Sequence, residues 1–130
     1  MKQLVPEGVQ IFRVGVLTDM VAAVLGECFD SVWVEGEISN LARPASQHIY
    51  FSLKDGEATL KAVMYRGIAL RLRFDPLDGM SVIARGRLSV YKPRGEYQLL
   101  VEELIPKGIG AAELALRQLK ERLLAKGYFS

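Results

Sequence analysis

Hydrolytic chemistry needs an activated nucleophile or a metal held by converging carboxylates. His48 is the only histidine, and it shares a strand face with Ser52, but no third group is spaced to orient it as a base. Glu35 and Glu37 lie on one face of a strand without a third ligand. Glu102 and Glu103 are adjacent within a strand pattern, so their carboxylates are expected on opposite faces. Asp75-Pro76 and Asp78-Gly79 are turn dipeptides, which accounts for both aspartates. The single cysteine, Cys28, excludes an internal disulfide, suits a reducing cytosol and reads as a small buried side chain. There is no zinc-ligand spacing and no Gly-rich phosphate loop. No catalytic residue, metal ligand or cofactor is therefore assigned, and the chain reads as a binding module.

A different constellation stands out in Ser89–Leu104, SVYKPRGEYQLLVEEL. Its turn carries Lys92, Pro93, Arg94 and Gly95, framed by Tyr91 and Tyr97. Pro93 restricts the turn, and Gly95 fits a position that needs positive φ. Glu96 is expected to pair with Arg94 or Lys92. Net charge is only +2, but it is unevenly spread. Residues 1–40 carry two Lys/Arg against six Asp/Glu, residues 41–100 ten against five, and residues 101–130 five against four. A basic excess in the middle suits a polyanion, although scattered charges are ordinarily a solvated face. Basic grooves lined with aromatics bind single-stranded nucleic acid, because every base has a flat face to stack. Taken singly, each tyrosine is explained by strand packing with a polar tip. Tyr50, Lys61, Tyr65, Arg85 and Arg87 on one inferred face make the combination a candidate platform.

The elements that must position these residues follow from periodicity. The chain has 130 residues, 50% of them hydrophobic and 25% charged, about the size of one domain with a packed core. No apolar run is long enough to span a membrane, and no secretory leader pattern is present. Thr18 reads as an N-cap, with Asp19 in the first turn. Leu17, Val21, Val24, Leu25, Cys28 and Phe29 then recur at helical spacing, giving a helix over about 16–30.

The period then changes to two. Val32–Ser39 is a strand, Asn40–Gln47 a loop, and His48–Lys54 a second strand. Asp55-Gly56 is a hairpin signal, and Ala58–Tyr65 is the returning strand. Arg66–Phe74 has a weak helical pattern that crosses the end of the sheet. Met80–Tyr91 and Glu96–Ile105 complete five strands. In Met80–Tyr91, Val82, Ala84, Gly86, Leu88 and Val90 point one way and Arg85, Arg87 and Tyr91 the other. In the tail, Ala112, Ala115, Leu116, Leu119 and Leu123 form an apolar stripe, with Gly127 as C-cap. The abrupt aromatic end at Tyr128-Phe129-Ser130 suggests a chain cut from a longer one.

Five strands, a crossing segment and interior glycines at Gly36 and Gly86 favour a closed, bent sheet. The expected fold is mainly β with flanking helices: a five-stranded OB-fold Greek-key barrel, one N-terminal helix and one C-terminal linking helix. A small open sheet packed on the two helices is the competing architecture. The expected domain covers 1–107, and 108–130 is the linking helix. The barrel puts Arg43 in the loop between the first two strands and Lys92–Glu96 in the loop between the last two.

Read in order, VWVEGEISNLARPASQHIYFSLKD, AVMYRG, FDPLDGMSVIARGRLSVYKPRGEYQLLVEEL and GIGAAELALRQLKERLLAKGYF resemble the N-terminal part of the large subunit of bacterial exodeoxyribonuclease VII. The resemblance runs from about Phe12 to the chain end. It implies a single-stranded-DNA-binding OB-fold, a cytoplasmic complex with several copies of a small subunit, and exonucleolytic hydrolysis of single-stranded DNA to oligonucleotides. It also implies that the catalytic domain lies beyond the last motif. On its match, with the basic and aromatic residues above, the candidate contacts are Arg43, Tyr50, Lys61, Arg66, Arg85, Arg87, Tyr91, Lys92, Arg94 and Tyr97. Arginines would hold phosphates and tyrosines would stack bases. An RNA- or tRNA-binding OB module and a structural subunit-docking module remain as alternatives.

Overall fold

A computed structural model describes residues 4–126. In chain order the elements are α1 (Val14–Cys28), β1 (Val32–Ala42), β2 (Ile49–Asp55), β3 (Ala58–Met64), α2 (Arg66–Ala69), β4 (Ser81–Tyr91), β5 (Glu96–Pro106) and α3 (Gly108–Ala125). The strands close into a barrel in the order β1-β2-β3-β5-β4. Closure requires one long strand to serve two neighbours. β1 does this: Val32–Glu37 pairs with β4, and from Glu37 onward it pairs with β2. Gly36 sits at the handover, where an added Cβ would come within 3.2 Å of the Leu53 Cβ and the Lys54 carbonyl oxygen. The parallel pairing of β3 with β5, through Lys61↔Gln98 to Val63↔Leu100, completes the Greek-key barrel.

The period-two pattern sorts the strands as expected. Ile38, Phe51, Leu53, Met64, Val82, Ala84, Leu99 and Val101 fill the barrel, each 3% exposed or less. Val63 and Ser52 depart from the pattern: Val63, expected outside with Lys61, is 3% exposed, and Ser52, expected outside with Tyr50, is 8% exposed. The short Ser52 side chain lies between its cross-strand partners Ser39 and Lys61.

Several boundaries differ from the sequence expectations. α1 begins at Val14, two residues before the expected start at 16, with Arg13 as an extended N-cap that makes no side-chain capping bond. Thr18 is thus a mid-helix residue, because the apolar run Val14–Leu17 carries the helix past it. The helix side half-buried against the rest of the chain is Thr18, Ala22 and Leu25, whereas Leu17, Val21, Val24 and Phe29 are exposed. Cys28, expected to be buried, is also exposed. The end of α1 is tied to β4 by the Leu88 N–H donating to the Phe29 carbonyl, 3.0 Å.

β1 runs three residues further than expected, to Ala42, through a bulge between Ser39 and Ala42 where Asn40 has φ 53. The Leu41 N–H released by the bulge donates to Asp78 Oδ1 at 2.9 Å, so Asp78 stabilises β1 as well as its own turn. α2 is a single turn and not a helix reaching Phe74. The chain leaves it so that Phe74 enters the core, 6% exposed.

α3 half-buries Ala115, Leu119 and Leu123 of the expected stripe, but the face is rotated from the one expected. Leu114, Ala115, Gln118, Leu119, Arg122 and Leu123 are half-buried, while Ala112 and Leu116 are exposed. Two polar residues set this rotation. Gln118 accepts from the Asp75 N–H (2.8 Å) and donates to the Asp75 carbonyl (3.0 Å). Arg122 donates to the Leu72 carbonyl (3.1 Å) and to Asp75 Oδ1 (2.9 Å). The Gly127 cap and the Tyr128–Ser130 end lie outside the described residues.

Candidate nucleic-acid interface

The fold brings five of the ten candidate contacts to one cleft of about 390 Å³, lined by Tyr50, Lys61, Tyr91, Arg94 and Tyr97 together with Glu96 and Gln98. Register explains the gathering. Tyr50 and Lys61 share the outer face of the β2–β3 ribbon, since Ser52 pairs with Lys61 and Tyr50 with Val63. The parallel β3–β5 ladder sets Lys61 beside Gln98, and Glu96 lies on the same face two residues earlier. Tyr91 faces Glu96 across the β4–β5 ribbon. Tyr97 has the opposite parity, yet it is 56% exposed and lines both this cleft and a smaller cavity shared with Leu17 and Val21 of α1. Tyr50 and Tyr91 are 43% and 48% exposed, which leaves ring surface free for stacking.

The turn between β4 and β5 has the geometry its sequence requires. Arg94 N–H donates to the Tyr91 carbonyl and Gly95 N–H to the Lys92 carbonyl, each 3.2 Å, and Gly95 has φ 62. Its charges pair otherwise than expected. Glu96 meets neither Arg94 nor Lys92 directly: its Oε2 accepts from Lys61 Nζ at 2.9 Å. The hydrogen bond from Lys61 holds the Glu96 carboxyl below the ordinary glutamate range, with Arg94 adding a weaker push the same way. Lys92 reaches Asp19 of α1 at 2.7 Å, pinning the turn to the N-terminal helix.

The other candidates are dispersed. Arg43 donates to the Pro76 carbonyl at 3.0 Å and stands 3.7 Å from Asp75, so the loop after β1 is anchored to the segment before β4. Arg66 opens α2, and its backbone N–H donates to His48 Nδ1 at 2.9 Å. His48 is wedged edge-on between Tyr50 and Tyr65, with ring centroids 6.3 and 5.4 Å away. Arg87 is exposed on β4.

Arg85 is held within the chain. It donates to Glu102 Oε2 at 2.8 Å and to Glu103 Oε2 at 3.1 Å, and its guanidinium lies 5.9 Å from the Trp33 ring. The bond to Glu103, then that to Glu102, raises its already high pKa. The two glutamates were expected on opposite faces. A bulge between Arg85 and Gly86 places Glu102 as the extra residue of β5, and the local break in alternation brings both carboxylates to one arginine.

Sequence reading placed Glu96 in the loop between the last two strands but gave it the wrong partner, and it missed Gln98 as a cleft residue. Both depend on the β3–β5 ladder, a contact between segments more than thirty residues apart that no local pattern reveals.

The barrel and its cleft define a class. The chain matches the model of the OB-fold nucleic acid binding domain over residues 12–105, and it belongs to that family. Among individual proteins, it is similar to the exodeoxyribonuclease 7 large subunits of Geotalea daltonii and Geobacter sulfurreducens. It is 60% identical to the former over 120 residues, 92% of this chain and 27% of that protein. The latter is 56% identical over 121 residues, 93% of this chain and 27% of that protein. The chain thus spans about a quarter of the length of these curated relatives. Among solved structures, a chain of a replication protein A heterotrimer bound to ssDNA superposes with a TM-score of 0.50 over 73% of each chain at 12% identity, a likeness of fold.

Proposed function

We propose that this domain binds single-stranded DNA without sequence preference in the β2–β3–β5 cleft, and presents it to the nuclease activity of an exodeoxyribonuclease VII large subunit of which it is the N-terminal part. The observation that carries the proposal is the gathering of three half-exposed tyrosines with Lys61 and Arg94 on one side of the barrel. Tyr50, Tyr91 and Tyr97 stack bases, and Arg94 and Lys61 hold phosphates. Arg66 and Arg87, exposed outside the cleft, extend the positive surface, while Lys92, paired with Asp19, and Arg43, held by Asp75 and the Pro76 carbonyl, contribute less. Arg85, already bound to two carboxylates, contributes least. The unit over 1–107 is the binding domain, and 108–130 leads to a catalytic domain in the longer relatives' architecture. The small subunit joins through that remaining part, and the complex acts in the cytoplasm in DNA catabolism.

The test is fluorescence anisotropy with labelled oligo-dT across a salt series. Affinity is expected to fall steeply with salt, the log–log slope reporting about 0.7 per phosphate held on a single strand. Matched oligo-dA is expected to bind comparably and matched RNA no more tightly. Salt-independent binding, or a strong preference for RNA carried by the 2′-hydroxyl, would contradict the proposal.

A further inference from the structure

One carboxylate lines the cleft among its described residues, and it sits on the lysine best placed for a phosphate. We infer that Glu96 is an intramolecular stand-in for a backbone phosphate, occupying Lys61 in the free domain and giving it up when a phosphodiester enters. The inference rests on the single-strand-binding reading of the cleft and deepens it by naming a built-in competitor.

The pairing is a product of the sheet, not of a wandering loop. Lys61 is fixed beside Gln98 by the parallel ladder, and Glu96 is the next residue on that face of β5. At 2.9 Å the carboxylate takes the position on the ammonium that a phosphate oxygen would take. The side chains are 52% and 45% exposed, so an incoming strand reaches both. Ion pairs this exposed are worth little, which makes the contact easy to exchange. With Glu96 in place, the cleft cations Lys61 and Arg94 are half neutralised. The consequence is a site that holds a strand loosely enough to let it move on, as passage to a nuclease requires. A ligand without a charged backbone gains nothing from opening the pair.

Glu96→Gln keeps the shape and removes the charge. In the 130-residue chain it is expected to bind oligo-dT about three- to ten-fold more tightly than wild type at low salt, with a steeper salt slope. Lys61→Met is expected to cost more affinity in the Glu96→Gln background than in the wild-type background, because the lysine is no longer discounted. A measurement on unaltered protein covers a variant that fails to fold. Carbon-13 NMR of the Glu96 carboxyl is expected to show its pKa rising on addition of oligo-dT, as Lys61 departs and a phosphate arrives. Wild-type binding with Glu96→Gln no tighter, and a carboxyl that DNA leaves unmoved, would overturn this inference alone. Absence of oligo-dT binding by both proteins would overturn the binding proposal and this inference with it.

Discussion

Gly86→Ala is expected to cost about 3 kcal/mol or more of folding stability, at or beyond the upper end for overpacked core sites. Gly86 is buried on β4 directly at the β4–β5 bulge. A Cβ there would overlap the Leu100 carbonyl oxygen, and would stand 2.9 Å from the Leu100 carbonyl carbon and 3.1 Å from Val101 Cα. All three are backbone atoms of β5, so no side chain can swing away to make room. Relief requires the two strands with the most extensive ladder in the barrel to part. That ladder runs from Val82↔Pro106 to Tyr91↔Glu96 and carries the β4–β5 turn of the cleft at its end. Thermal unfolding should show Tm lower by roughly 10 °C or more for a domain of this size. Gly36→Ala is the comparison: its tightest neighbours, Leu53 Cβ and the Lys54 carbonyl oxygen, stand at 3.2 Å, so a shift of a few tenths of an ångström relieves it and a smaller loss is expected. Equal stability of Gly86→Ala and wild type would mean that the bulge is not built as described.

The second large effect concerns binding. Tyr50→Ala and Tyr97→Ala are each expected to weaken oligo-dT binding by about 1–3 kcal/mol, roughly five- to 150-fold, the loss of one stacked base. Tyr→Phe at either position should retain most of the affinity, because the ring face and not the hydroxyl carries the contact. Tyr50 has an additional support: the edge of His48 packs against it, and His48 is in turn fixed by the Arg66 N–H. Arg85→Ala serves as the control on the same barrel, since its guanidinium is taken by Glu102 and Glu103, and should change affinity by less than about twofold. Losses at Arg85 as large as those at the tyrosines would shift the interface to the Trp33 side of the barrel.

How much was legible in the sequence depends on the range of the interaction. Alternation along Met80–Tyr91 and His48–Lys54 separated the core residues from Tyr50, Arg87 and Tyr91, because a strand's period is a local property. Gly95 and Asp55-Gly56 announced their turns, since positive φ selects glycine; Gly56 has φ 58 and Gly95 φ 62. Gly86 pointed to a bend, and the structure supplies the bulge. The failures are non-local or polar. The face of α3 was read only in part, through Ala115, Leu119 and Leu123, because Gln118 and Arg122, which hydropathy counts as solvent-facing, dock through hydrogen bonds to residues 72–75. Glu102 and Glu103 converge because a bulge breaks the alternation on which the expectation rested. Lys61 and Glu96 meet across a parallel pairing that only the closed barrel creates. Tyrosines and cations could be enumerated from sequence, but which five share a cleft was decided by strand order.

The central claim is that single-stranded DNA lies in the β2–β3–β5 cleft, and mapping it by NMR tests this most directly. On titration of the isotopically labelled chain with oligo-dT, the largest amide and side-chain shifts are expected at Tyr50, Lys61, Tyr91, Arg94, Glu96 and Tyr97. Trp33, Arg85, Glu102 and Glu103 should remain nearly unmoved. Shifts centred on Trp33 and Arg85, with the tyrosine cleft unperturbed, would contradict the account.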